Sequence, residues 1–175
     1  MHPDLEGVDT VVLVEGVSDV AALEALGIRR DGLLIAPMGG ATNVGNFARL
    51  FAASPVKLIG LCDVGEERFF AKVLDEYFVC DADLEDELIR SLGIEGTERV
   101  IDLQGDLGML RTFQNQPAQR SRTPQQQLRR FMGTLAGRKE KYGRALVEGL
   151  ARVDGPGGVP APLAALRDRV AATGR

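Results

Sequence analysis

Four short apolar runs, at residues 11–14, 33–36, 56–61 and 77–80, constrain this chain most, because each has strand length and each leads into a segment of helical spacing. Runs that are almost continuously apolar, here interrupted only by Lys57, belong to strands covered on both faces. Their alternation with helices predicts an α/β fold with a central parallel sheet built by right-handed crossovers. The first helix is expected from Ser18-Asp19 through Val20, Leu23 and Leu26, the next over 42–53, a short one over 66–74, and another over 84–92 with a stop at Gly93. Residues 100–103 are expected to add a fifth strand.

Beyond residue 103 the strand signal ends. Residues 111–122 are polar and basic, 124–132 and 138–150 have helical spacing, and Asp154-Gly155-Pro156-Gly157-Gly158 breaks the chain before a last helix near 162–172. The division expected is an α/β core over 1–103 and a basic helical extension over 104–175 packed on it. Charge divides at the same point: residues 1–103 hold 8 Lys/Arg and 20 Asp/Glu, a balance of −12, and residues 104–175 hold 13 and 5, a balance of +8. The net charge of −4 therefore conceals an acidic part and a basic one.

At 175 residues and 45% hydrophobic content the chain is sized for one domain with a core. It has no apolar stretch near the roughly 20 residues that span a bilayer, and its start lacks a basic-then-apolar signal pattern, so a soluble cytoplasmic protein with no membrane partner is expected. Cys62 and Cys80 fit small buried residues of a reducing compartment, and with His2 as the one histidine a Cys/His zinc site is excluded.

The carboxylates fall at the strand ends: Glu15 and Asp19 after the first, Asp63 after the third, and Asp81, Asp83 and Glu85 after the fourth. In open α/β sheets, ligands bind beyond those ends. Clustered acids repel and raise one another's pKa unless a cation neutralises them, and all-oxygen donor sets suit hard ions such as Mg2+. Locally each group has a second reading. Asp19 either faces a cation with Glu15 or complements its helix N-terminus, and Asp83, with Glu85, Asp86 and Glu87 behind it, is also what a helix start selects.

Read together, Glu-Gly after strand one, Gly39-Gly40 after strand two, Asp63 after strand three and Asp-x-Asp-Leu-Glu after strand four resemble a TOPRIM domain, a Rossmann-like fold shared by topoisomerases, primases, repair proteins and nucleases. Val12-Leu13-Val14-Glu15-Gly16-Val17-Ser18-Asp19 resembles its opening motif. Cys80-Asp81-Ala82-Asp83-Leu84-Glu85 resembles more specifically the nuclease domain of overcoming-lysogenization-defect (OLD) family ATP-dependent endonucleases. The resemblance covers 9–103 and extends weakly to about 150. It implies an Mg2+- or Mn2+-dependent endonuclease acting on DNA, or on RNA, with one or two ions. It also implies Glu15 as catalytic acid and ligand, Asp19 and Asp63 as ligands of one ion, Asp83 and Glu85 as ligands of a second, and Asp81 as a further candidate.

One departure stands out. After the third strand the family's Asp-x-Asp is Asp63-Val64-Gly65 here, followed by Glu66. Glu66 either reaches the same ion from one residue further on or serves only its own helix dipole. The family's late lysine corresponds to Lys139 or Lys141; Lys139 is favoured, because Tyr142, Leu146 and Leu150 define the buried face of that helix and leave Lys139 near its N-terminal end.

Arg111, Arg120, Arg122, Arg129, Arg130, Arg138 and Arg144 either form a phosphate-binding stripe or neutralise the acidic part internally. No Gly-x-x-x-x-Gly-Lys-Ser/Thr loop is present, so the chain resembles the nuclease domain without its ATPase, and a separate ATPase partner and a homodimer are both open. Tyr77 lies in a strand and Tyr142 faces a core, which disfavours covalent tyrosine chemistry. The alternatives are a non-catalytic or weakly active nucleic-acid or partner-binding module with one ion, and a primase-like or RNA-processing enzyme.

Overall fold

The computed structural model describes residues 5–134, 137–152 and 157–174. Its centre is a four-stranded parallel sheet in the order β2-β1-β3-β4, with β1 at Thr10–Val14, β2 at Leu33–Pro37, β3 at Lys57–Asp63 and β4 at Tyr77–Cys80. The expected fold class is therefore found, with four strands. β1 is buried at every residue, as a continuous apolar run requires.

Alternate residues of the central strands feed two cores. Val12, Val14, Ile59 and Leu61 join a cluster with Leu23, Leu88, Leu128, Tyr142, Leu146 and Leu166, whereas Val11, Leu13 and Cys62 pack with Val44, Phe51, Phe70 and Leu74. The first face carries α1 (Val17–Ala25), α4 (Leu84–Leu103), α5 (Leu107–Gln114), α6 (Pro124–Met132), α7 (Arg138–Arg152) and α8 (Ala161–Thr173); the second carries α2 (Val44–Phe51) and α3 (Glu67–Phe70). The helices after residue 103 thus complete the larger core. Cys62 and Cys80 are free and buried, as expected from their place in strands.

Three segments differ from the sequence expectation. Residues 100–103 are helical, as the second half of α4: Thr97, Val100 and Ile101 are buried at i, i+3, i+4 spacing while Leu103 is 69% exposed, a period that a four-residue window cannot reveal. Gly93 kinks α4 and does not end it; its φ of +70° suits glycine, and the Thr97 hydroxyl donates to its carbonyl at 2.7 Å. The helix expected over 66–74 is one turn, α3, and the basic segment 111–122 begins inside α5. In the expected break before the last helix, residues 153–156 lie outside the described ones.

α7 packs on α1 and α4, and α6 on α4. The first contact is close: a Cβ at Gly143 would stand 2.5 Å from the Ser18 carbonyl oxygen, so glycine lets α7 rest on the start of α1. That contact brings the N-terminal end of α7 to the sheet edge where β1 ends.

Candidate metal centre

The strand order reverses between β1 and β3, and the crevice at such a switch point is where open α/β sheets bind ligands. Glu15 follows β1 directly and Asp63 ends β3. The turn after β2 braces the first of these acids. Gly39 and Gly40, with φ of +70° and +124°, direct both N–H groups to the Glu15 carbonyl oxygen at 2.9 and 3.1 Å. Asp19 accepts a hydrogen bond from the Gly16 N–H at 2.8 Å, so it satisfies the start of α1 and still lines the same cleft.

Glu66, one residue beyond Gly65, turns toward the same acids. Carboxylate oxygens of Glu15, Asp63 and Glu66 lie within 4.8 Å of one another. Glu66 sits at the cap of α3, its N–H donating to the Asp63 carbonyl at 2.9 Å, a tight turn that returns its side chain to β1. Its Oε2 is buried with no hydrogen-bond partner.

Asp83 and Glu85 form the adjoining wall. Asp83 caps α4, accepting from the Asp86 N–H at 2.8 Å, and its other oxygen takes Arg129 Nε at 2.5 Å. Glu85 is 6% exposed, its Oε1 has no hydrogen-bond partner, and the Lys139 ammonium stands 3.9 Å away. Asp81 corrects the expectation for this segment. It projects outward, paired with Arg90 at 2.8 Å, because Ala82 turns the chain at a φ of +68° between the exposed Asp81 and the buried Asp83.

Glu15, Asp19, Asp63, Asp83, Glu85 and Lys139 all line one cleft of about 470 Å3. Crowding shows in their protonation. Burial, the Glu66 carboxyl bonded against it and Glu66's charge push Glu15 upward. Burial and the surrounding acids push Asp63 to about 8 and Asp19 to about 6. Glu85 is raised by burial, with Lys139 opposing. All-oxygen donors, two of them buried and unpartnered, held together against their own repulsion, fit a hard divalent cation.

The basic residues do not form one stripe. Arg122, Arg129 and Arg130, with Gln126 and Lys139, line an annex of about 430 Å3 that shares Asp83 and Glu85 with the acidic cleft. Arg111 pairs with Glu98 at 2.6 Å and Arg144 with Glu24 at 3.4 Å, internal neutralisation away from the cleft; Arg120 is exposed. Arg138 corrects the expectation of a phosphate contact. It is 8% exposed, with its guanidinium 4.3 Å from the Phe131 ring centre and a hydrogen bond to the Thr134 hydroxyl at 3.0 Å. Lys141 is bound to Asp106 at 2.9 Å, and Lys139, not Lys141, faces the acids.

Gln126 was not among the residues expected at the site, although Gln126, Arg129 and Arg130 at i, i+3, i+4 share one helix face. The Tyr142 hydroxyl is buried and donates to Asp106 at 2.9 Å, which keeps it from the cleft.

Comparison with known proteins agrees with this geometry. Residues 8–64 match the family model described as overcoming lysogenization defect protein-like, TOPRIM domain. No curated protein sequence matches the chain significantly. Among solved structures, the C-terminal region of the Burkholderia pseudomallei OLD protein superposes with a TM-score of 0.58 at 18% identity, over 94% of this chain and 98% of that one. Among the described residues, no helix is long and apolar enough to cross a membrane. Residues 8–64 are thus similar to an OLD-like TOPRIM domain, and the chain around them has the fold of an OLD C-terminal region.

Proposed function

We propose that this protein is an Mg2+- or Mn2+-dependent endonuclease that hydrolyses phosphodiester bonds in DNA. The observation that carries the reading is the convergence of Glu15, Asp63 and Glu66 within 4.8 Å at the sheet's switch point, beside Lys139 and a basic annex. An acid cluster alone would hold an ion; the cations beside it are what suit a polyanionic substrate.

Glu15, Asp19, Asp63 and Glu66 would hold one ion, and Asp83 with Glu85 a second. A divalent ion bound there supplies Lewis-acid stabilisation of phosphoryl charge and a more acidic water. The protein's own groups orient the strand. Arg122 and Arg130 hold a flanking phosphate in the annex, and Lys139 places positive charge where the scissile phosphate gains negative charge. In the hydrolysis a water oxygen bonds to phosphorus, the ester P–O bond breaks, and the leaving oxygen takes a proton.

The test is nicking of supercoiled plasmid by the purified chain in Mg2+, Mn2+ or EDTA, beside Glu15→Gln and Asp63→Asn variants, with RNA as a parallel substrate. Metal-dependent nicking lost in both variants is expected; equal nicking in the variants would sink the reading. One observation favours a second reading, a nucleic-acid-binding module with one ion: both Asp83 oxygens are already engaged, by Arg129 and by the Asp86 N–H. Metal-dependent binding without nicking would select it. An ATPase partner, suggested by the OLD resemblance, is tested by co-purification with and without ATP.

A further inference from the structure

Arg129 lies between the two cavities of this site. Its Nε holds Asp83 Oδ2, while its side chain, 47% exposed, also lines the annex with Arg122 and Arg130. The neighbouring acid is held more loosely: the Glu85 side chain is 8% exposed, its Oε1 has no hydrogen-bond partner, and the Lys139 ammonium stands 3.9 Å from it. One carboxylate of the pair is thus hydrogen-bonded by a guanidinium, and the other only faces an ammonium across 3.9 Å. Asp83 takes a single N–H of Arg129, whereas a phosphate accepts two parallel N–H groups from a guanidinium, so a phosphate in the annex draws Arg129 away from Asp83.

We propose that Arg129 is a resident stand-in for a cation at Asp83, exchanged onto a phosphate that enters the annex, so that occupation of the Asp83–Glu85 position by a divalent ion is coupled to phosphate binding. The inference rests on the proposed metal site, and it concerns when the second position becomes available. Without phosphate, the ion–carboxylate attraction must displace an ion pair; with phosphate, the guanidinium has an alternative partner and the carboxylate is released. The two ligands then favour each other by linkage. Glu15, Asp63 and Glu66 come together without Asp83 or Glu85, so the ion they would hold needs no release of Arg129.

The experiment counts Mn2+ ions on the full chain by electron paramagnetic resonance and titration calorimetry, with no nucleic acid present. Wild type, Arg129→Gln and Arg130→Gln are compared in NaCl and in sodium sulfate of equal ionic strength, sulfate standing in for phosphate. Arg130→Gln removes the same charge from the annex without touching Asp83, so it calibrates the general electrostatic effect. Wild type is expected to bind one ion tightly in NaCl and a second in sulfate. Arg129→Gln is expected to tighten the second ion at least about tenfold in NaCl, the scale of a released charge-assisted hydrogen bond, and to lose the sulfate effect.

An Arg129→Gln chain no better than Arg130→Gln, a wild type that already binds two ions in NaCl, a wild type that binds none, or a sulfate effect that survives in Arg129→Gln would each overturn the proposal. Its failure is separable from that of the nuclease reading. The expected ion counts without nicking would leave the exchange standing and remove the enzyme, and nicking with unchanged counts would do the reverse.

Discussion

Glu66 brings a carboxylate oxygen to within 4.8 Å of one on Glu15, across the ends of β1 and β3, although it lies one residue beyond Gly65. The approach depends on a turn, the Glu66 N–H bonded to the Asp63 carbonyl, which returns the chain toward β1. Glu15, Asp63 and Glu66 are therefore held together by the ends of two neighbouring strands.

Removing the Glu66 acid separates metal binding from stability. Glu66→Gln relieves repulsion at Glu15, so the melting temperature in EDTA rises, while Mn2+ affinity falls by about 10- to 100-fold, the scale for losing a group that supports a metal site. Differential scanning fluorimetry and Mn2+ titration check both signs. Unchanged Mn2+ affinity would remove Glu66 from the site.

The acid cluster also predicts an unusual pH profile. Asp63 and Asp19 have folded-state values raised from 3.8 to about 8 and about 6, so their contribution is full below pH 4 and is lost as pH rises through those values. Asp9, lowered to about 2 by its hydrogen bond to Arg30, contributes in the opposite direction, but its contribution is complete above its ordinary value of 3.8. From pH 5 to 8 in EDTA the melting temperature should fall, and Mg2+ should recover it most at pH 8. A melting temperature that rises over this range would contradict the burial of these acids.

Gly143→Ala tests the placement of α7. The added Cβ meets the Ser18 carbonyl at 2.5 Å, a backbone contact with no flexible end to yield, and overpacking of this kind costs about 1–3 kcal/mol. Urea denaturation measures the loss. A neutral substitution would mean that α7 does not rest on α1 in this way.

Salt dependence distinguishes the arginines. Arg122→Gln and Arg130→Gln should each reduce the slope of log affinity for DNA against log salt by about one, the value for a single phosphate contact. Arg138→Gln should leave the slope unchanged and lower the melting temperature, since its guanidinium is buried over Phe131. A slope change at Arg138 equal to that at Arg130 would contradict its burial.

Much of the fold was legible because its signals are local. Short apolar runs marked four parallel strands, and acids following β1 and β3 necessarily reach one sheet edge, since parallel strands end on the same side. Gly39-Gly40 was legible as a turn because positive φ favours glycine. Residues 100–103 were misread because four apolar residues carry no period of their own, and their helix is selected by the core that buries Val100 and Ile101.

The amino-acid sequence by itself determined the α/β class, the places of β1 to β4 and the presence of acids at strand ends, all consequences of side-chain polarity at short range, while also offering a fifth strand that does not form. Tertiary structure decided which polar groups meet. The left-handed turn at Ala82 separates Asp81, paired with Arg90, from the buried Asp83; close packing at Gly143 brings α7 against the start of α1, with Lys139 beside Glu85; Phe131 covers Arg138, and Asp83 holds Arg129. Those outcomes depend on contacts tens of residues apart, where charge alone names no partner and the packing of helices on the sheet sets which ions come within reach.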